Sequence, residues 1–276
     1  MLKILIPTDF SVQAEFAYLM VKKLAEKVPV EINFLHILNT PDTVTLDANG
    51  KISTCGEIDV KHVETQKAIA DRNLQQLVQI YGPEIRTRLV FGKVTEQIIA
   101  QAEKENFDLI CMGTKGAWGL KEKISGTETQ MVARKSKVPV LSLMCDRSEL
   151  VIKNILLVHN FKEQQSQDLK LLHQLINAFD ARVHLLQISK TNTEEEKEEI
   201  HQHMNVFANN NQLADFSMHV LQDKDVENGV IHFNQMNNMD MICIGTHAKT
   251  SLFHSSATEK LINHLFKPII SFHLKN

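Results

Sequence analysis

The sequence holds no apolar run long enough to cross a bilayer, which excludes a membrane-spanning helix. Its first ten residues, Met1 to Phe10, have too short an apolar part for a signal peptide and no cleavage site, so they read as a strand. A net charge of −3 leaves no basic surplus of the kind that nucleic acid or an anionic membrane attracts. The four cysteines show no metal-ligand spacing. Cys111 and Cys243 lie in apolar runs and read as small buried hydrophobes of a reducing compartment, so a cytoplasmic location is expected. No GxGxxG fingerprint occurs, no Gly-Lys-Ser/Thr triplet closes a phosphate loop, and no HExxH pair offers a zinc site. What remains is 43% hydrophobic and 23% charged over 276 residues, the make-up of a globular protein with room for two ordinary domains.

What is there alternates between strand and helix. Lys3–Pro7 reads as a strand, and a helix follows from Val12, with Ser11 as its N-cap and Phe16, Leu19, Met20 and Leu24 on an apolar face. Val30–Leu38 is a second strand. Residues 39–59 are polar and aperiodic, and read as a long loop. Val60–Tyr81 carries a strong helical period that Gly82-Pro83 ends. Arg86–Phe91, a helix from Val94, the run to Met112 and Val138–Leu143 complete five strands with crossover helices. Such alternation predicts a parallel sheet covered on both faces.

Then the pattern begins again. Lys153–Phe161, "KNILLVHNF", repeats Leu2–Phe10, "LKILIPTDF", and Met239–Ala248, "MDMICIGTHA", repeats Phe107–Gly116, "FDLICMGTKG". Pro139 aligns with Pro268. The fold class predicted is therefore α/β, two tandem doubly wound domains over 1–146 and 151–276.

One segment carries chemistry. Between the strand ending at Met112 and a helix from Glu128, the chain reads Gly113, two residues, Gly116, nine residues, Gly126, Thr127. The first two glycines permit sharp turns and close approach of backbone to a ligand. Gly126, Thr127 and Glu128 sit at a helix start, where free N–H groups and a hydroxyl suit an anion. A surface loop whose glycines serve only its turns is the plainer alternative.

That spacing resembles the ATP-binding motif of the universal stress protein family at all four positions, and the repeat extends the resemblance over nearly the whole chain. The resemblance implies two five-stranded parallel sheets, each in order 3-2-1-4-5. It also implies ATP, or AMP or ADP, at the carboxyl ends of strands 1 and 4, the switch point where doubly wound sheets bind ligands. Asp9 would then reach the nucleoside or a phosphate-bound Mg²⁺, unless it only caps the first helix. Pro7, Thr8 and Met112 would line the crevice, and Ile37 and Leu38 would face adenine or else pack in the core. Family subunits dimerise across their last strands, so a tandem chain is expected to make that contact internally, with a homodimer or a protein partner still open. A scaffold without nucleotide and a slow ATP hydrolase or transferase are the competing functions. Against the last, the loop holds no arginine between Gly113 and Thr127.

The second copy departs from the motif. Asn160 replaces Asp9, Val158 replaces Pro7, and Ala248 and Ala257 replace Gly116 and Gly126, leaving only Gly245 and Thr258. Its site is expected to be degenerate. His159, His247 and His254 near it, and His201 and His203 after the acidic run Glu194–Glu199, read as solvated or hydrogen-bonded side chains.

Overall fold

The computed structural model describes residues 1–41, 43–46, 52–54, 59–115, 128–162, 168–191, 193–247 and 252–274. The first half comprises β1 (Leu2–Pro7), α1 (Val12–Ala25), β2 (Val30–Leu38), β3 (Val44–Leu46), β4 (Ile52–Thr54), α2 (Val60–Tyr81), β5 (Arg86–Phe91), α3 (Val94–Lys104), β6 (Leu109–Gly113), α4 (Glu128–Lys135) and β7 (Val140–Leu143). The second comprises β8 (Asn154–Val158), α5 (Lys170–Phe179), β9 (Arg182–Ser189), α6 (Glu194–Asn210), β10 (Phe216–Gln222), α7 (Val226–Asn237), β11 (Met241–His247), α8 (Leu252–His264) and β12 (Ile269–Leu274).

Local chemistry sets several boundaries. The Ser11 hydroxyl accepts the Ala14 N–H at 3.4 Å and starts α1. Thr193 does the same for Glu196, and three glutamates fill the first turn of α6, where carboxylates suit the helix dipole. Gly82 takes φ 107° and ends α2.

The segment 39–59 departs from the loop expected. Val44–Leu46 and Ile52–Thr54 pair antiparallel, with Thr45 opposite Ser53. The β-branched residues of these strands flank an Asn49-Gly50 dipeptide, a hairpin signal too short to register against the polar residues around it.

Ten strands form one sheet in the order β10-β9-β8-β11-β12-β7-β6-β1-β2-β5. Taken in chain order, each half runs 3-2-1-4-5. Every neighbouring pair is parallel except β7 and β12, which run antiparallel with Leu141 opposite Ile270 and Ser142 opposite Ile269. Alternation along the strands feeds two cores, one on each face. Ile4, Ile6, Leu141, Ile155 and Ile270 join α1, α5 and α6 on one side; Leu5, Ile110, Val140, Leu156 and Ile269 join α3, α4, α7 and α8 on the other. Both cores cross the β7–β12 seam without a break. Helices α4 and α8 also meet there, where Gln130 Nε2 donates to the Glu259 carbonyl at 2.6 Å and Arg134 pairs with the Glu259 carboxylate at 3.2 Å.

One polar atom in the seam is unsatisfied. Ser142 is buried, and its hydroxyl has no hydrogen-bond partner among the described residues. Removing such a group costs no bond and recovers its desolvation, so Ser142→Ala is expected to raise stability by up to about 1 kcal/mol in urea unfolding. A destabilised Ser142→Ala would show that the hydroxyl is paired in solution.

Candidate functional site

A cleft of about 450 Å³ opens at the carboxyl ends of β1 and β6, where the strand order reverses. Its floor begins with a tight turn after β1. The Thr8 N–H donates to the Leu35 carbonyl at 2.9 Å, which carries the β1–β2 ladder one residue beyond the strand. Phe10 then takes φ 62°, and two side chains brace the turn: Thr8 Oγ1 accepts the Phe10 N–H and Asp9 Oδ1 accepts the Ser11 N–H, both at 3.0 Å. Asp9 therefore supports the residue before α1, while Ser11 caps the helix itself. The Asp9 side chain is exposed and lines the cleft.

On the β6 side, Gly113 is forced by packing. A Cβ built there would lie 1.9 Å from the Gln13 carbonyl oxygen, so the first turn of α1 rests directly on the strand end. The sequence suggests a turn or a ligand approach for this glycine; the close neighbour is instead a helix backbone. The start of α4 is clipped to the same strand. Thr129 donates its hydroxyl to the Gly113 carbonyl at 3.0 Å, and the Thr114 N–H donates to the Leu143 carbonyl at 2.7 Å. The Glu128 carboxylate accepts the hydroxyl of Thr95, in the first turn of α3.

Pro7, Thr8, Asp9, Ile37, Met112, Gly113 and Glu128 all line this one cleft. Leu38 does not: it closes the β2–β5 ladder opposite Phe91, and its carbonyl accepts the Gly92 N–H at 3.1 Å. Gly116, Gly126 and Thr127 lie outside the described residues. Several lining residues carry no sequence signal of their own, among them Gln13, Val94, Ile98 and His36. His36 Nδ1 lies 2.7 Å from the Thr8 carbonyl, which can only accept, so Nδ1 is the donor in this contact. The Phe10 ring lies against the imidazole, 4.5 Å between centroids. Strand alternation alone would have flagged position 36 only if the turn at Phe10 were known.

The family model for the universal stress protein family matches residues 1–143. The chain belongs to this family. Universal stress protein MJ0577 of Methanocaldococcus jannaschii is 32% identical over 149 residues, covering 50% of this chain and 92% of the relative. MJ0531 of the same organism is 29% identical over 147 residues, covering 53% and 84%. A universal stress protein of Archaeoglobus fulgidus, known from its crystal structure, matches over 99% of this chain and 97% of its own, with a TM-score of 0.72 at 20% identity. That last likeness extends the universal stress protein fold through the second half.

The second half rebuilds the turn with other side chains. The His159 N–H donates to the Leu186 carbonyl at 3.2 Å, His159 Nδ1 accepts the Phe161 N–H at 3.0 Å, and Asn160 Oδ1 accepts the Lys162 N–H at 3.3 Å. Phe161 has φ 52°. The backbone of the turn is thus alike in the two halves, and an amide stands where the first half has a carboxylate. His159 is buried and edge-on to Phe161, a structural role. The side chains of His247 and His254 lie outside the described residues, and His201 and His203 sit on α6. Among the described residues no helix is long and apolar enough to cross a membrane.

Proposed function

We propose that the first half of this universal stress protein binds ATP, or its di- or monophosphate, in the cleft at the ends of β1 and β6, as a regulatory ligand. The observation that supports this is the convergence of seven of the residues expected at the site, Gly113 of the motif among them, on one cleft. Ile37 offers the base an apolar wall, and Asp9 offers the ribose or a phosphate-bound Mg²⁺ a carboxylate. Glu128 begins α4, and Gly126 and Thr127, which precede it in the sequence and lie outside the described residues, would supply the phosphates with N–H groups and a hydroxyl. An exposed carboxylate suits a hard cation shared with phosphate, so Asp9 fits Mg²⁺, which would neutralise phosphate charge there. We further propose that residues 1–146 and 151–276 are two copies of one domain, that the β7–β12 seam stands in for a subunit contact, and that the second copy binds no nucleotide.

Calorimetric titration of the full chain with Mg²⁺ and ATP tests this. One ATP per chain is expected, weakened at least tenfold by Gly126→Val and by Thr127→Val. Two bound ATP, none, or unchanged affinity in both variants would overturn the proposal. Turnover is expected to be slow or absent. Backbone amides and a hydroxyl bind ground and transition states alike, and the nearest downstream arginine, Arg134, is held by Glu259. A single-turnover rate of about 1 s⁻¹, in the lower range for working enzymes, would make the protein an ATPase instead.

A further inference from the structure

Outside the cleft, donor side chains also converge in the second half, where β8, β9 and β10 run side by side. Ser217 stands directly opposite His184 in the β9–β10 register, and His219 follows two residues on, on the same face. His184 Nδ1 and His219 Nε2 are 3.2 Å apart, and Ser217 Oγ lies 2.9 Å from the first and 3.0 Å from the second. Three donor atoms thus form a nearly equilateral triangle.

The other nitrogen of His184 fixes what the triangle offers. Asp240 accepts the backbone N–H groups of Lys153 and Asn154 at 2.9 and 2.8 Å, and the Asn154 Nδ2 at 3.4 Å. That sets the amide so that Asn154 Oδ1 faces His184 Nε2, at 3.1 Å. An amide oxygen only accepts, so Nε2 bears the proton and Nδ1 presents a lone pair to the triangle. This is how outer partners orient a metal-bound histidine. Burial, with Arg182 adding for His184 and the neighbouring imidazole for His219, holds both histidines below the ordinary value, in the neutral form that ligates.

The arrangement is peculiar to the second half. At the matching places the first half has Asn33, Arg86 and Arg88, with Arg86 opposite Asn33. Arg86 pairs there with Glu31 at 3.0 Å, and Arg88 bonds Gln101 at 3.0 Å and Glu105. An amide and two permanent cations in an ion-pair network stand where the second half has two imidazoles and a hydroxyl, so the fold itself does not require the cluster.

We propose that His184, His219 and Ser217 bind one divalent transition-metal ion of the kind that favours imidazole, Zn²⁺ or Cu²⁺. Metal–nitrogen bonds of about 2.0–2.1 Å place two nitrogens on a tetrahedral ion about 3.3–3.4 Å apart, close to the separation here. Among the described residues no three His, Cys, Asp or Glu side chains converge. The site is therefore a two-imidazole one, completed by the hydroxyl and water, and weaker than a structural zinc centre.

The full chain, stripped by a chelator and titrated with Zn²⁺ against a chromophoric competitor, should bind one ion that His184→Gln and His219→Gln each abolish. Asn154→Ala should weaken it about tenfold, the usual cost of a lost outer partner. His62→Gln, on α2, should leave it unchanged. Because the variants could fail to fold, Cu²⁺ loading of the unaltered protein gives an independent reading: its electron spin resonance spectrum should show two imidazole nitrogens on the ion. No Zn²⁺ binding, equal loss in His62→Gln, or fewer than two imidazole nitrogens on Cu²⁺ would overturn the assignment.

Discussion

Gly113→Ala is expected to destabilise the protein by about 3 kcal/mol, the upper range for overpacking a well-fitted site, and to weaken ATP binding at least tenfold. The added carbon would sit 1.9 Å from the Gln13 carbonyl oxygen and 2.3 Å from its carbon. Backbone cannot rotate aside as a side-chain tip can, so the first turn of α1 must lift. That turn carries Ser11 and Gln13, and lifting it pulls on the Asp9 turn that precedes it. Stability and ligand affinity should therefore fall together. Urea unfolding and calorimetric titration measure the two, and a variant that unfolds and binds like the parent would show that α1 has room to move.

The second large effect concerns the seam. Ile270 is fully buried, lies opposite Leu141 and belongs to a core shared by both halves. Because that core is continuous, the parent protein should unfold in one calorimetric transition. Ile270→Asp buries an unpaired charge where only apolar groups meet it, at a cost of several kcal/mol. Its result should be two separate transitions, each half melting alone. A single transition in the variant, shifted to lower temperature, would mean that the halves depend on one another through more than this seam.

Much of this was legible in the sequence because it rests on local chemistry. The period of α2, its Gly82-Pro83 stop and the cap Ser11 follow from short-range rules, whereas the strand order came only with the family resemblance. Asp9, Ile37 and Glu128 could be assigned to one cleft because ligands gather where the strand order reverses. What stayed hidden depends on distant residues meeting. The contact of Thr95 with Glu128 joins two helices, and the close approach at Gly113 depends on where α1 lands. His184 and His219 are separated by a whole helix in the chain, and no spacing announces that β9 and β10 bring them together. For Leu38 the sequence left adenine contact and packing both open, for a smaller reason. At the last residue of a strand, one step decides between the ladder and the crevice.

The seam between β7 and β12 also bears on how the two halves can change over generations. In an assembly of two identical chains, a substitution in one crevice appears in the other, so neither can be given up while the other is needed. If, as proposed, the two halves of this polypeptide are copies of one domain, they mutate independently. Asn160 can then stand where the other half has Asp9, and His219 where it has Arg88. The seam ties both halves into shared cores, so a half relieved of nucleotide binding would stay folded and be free to acquire another task.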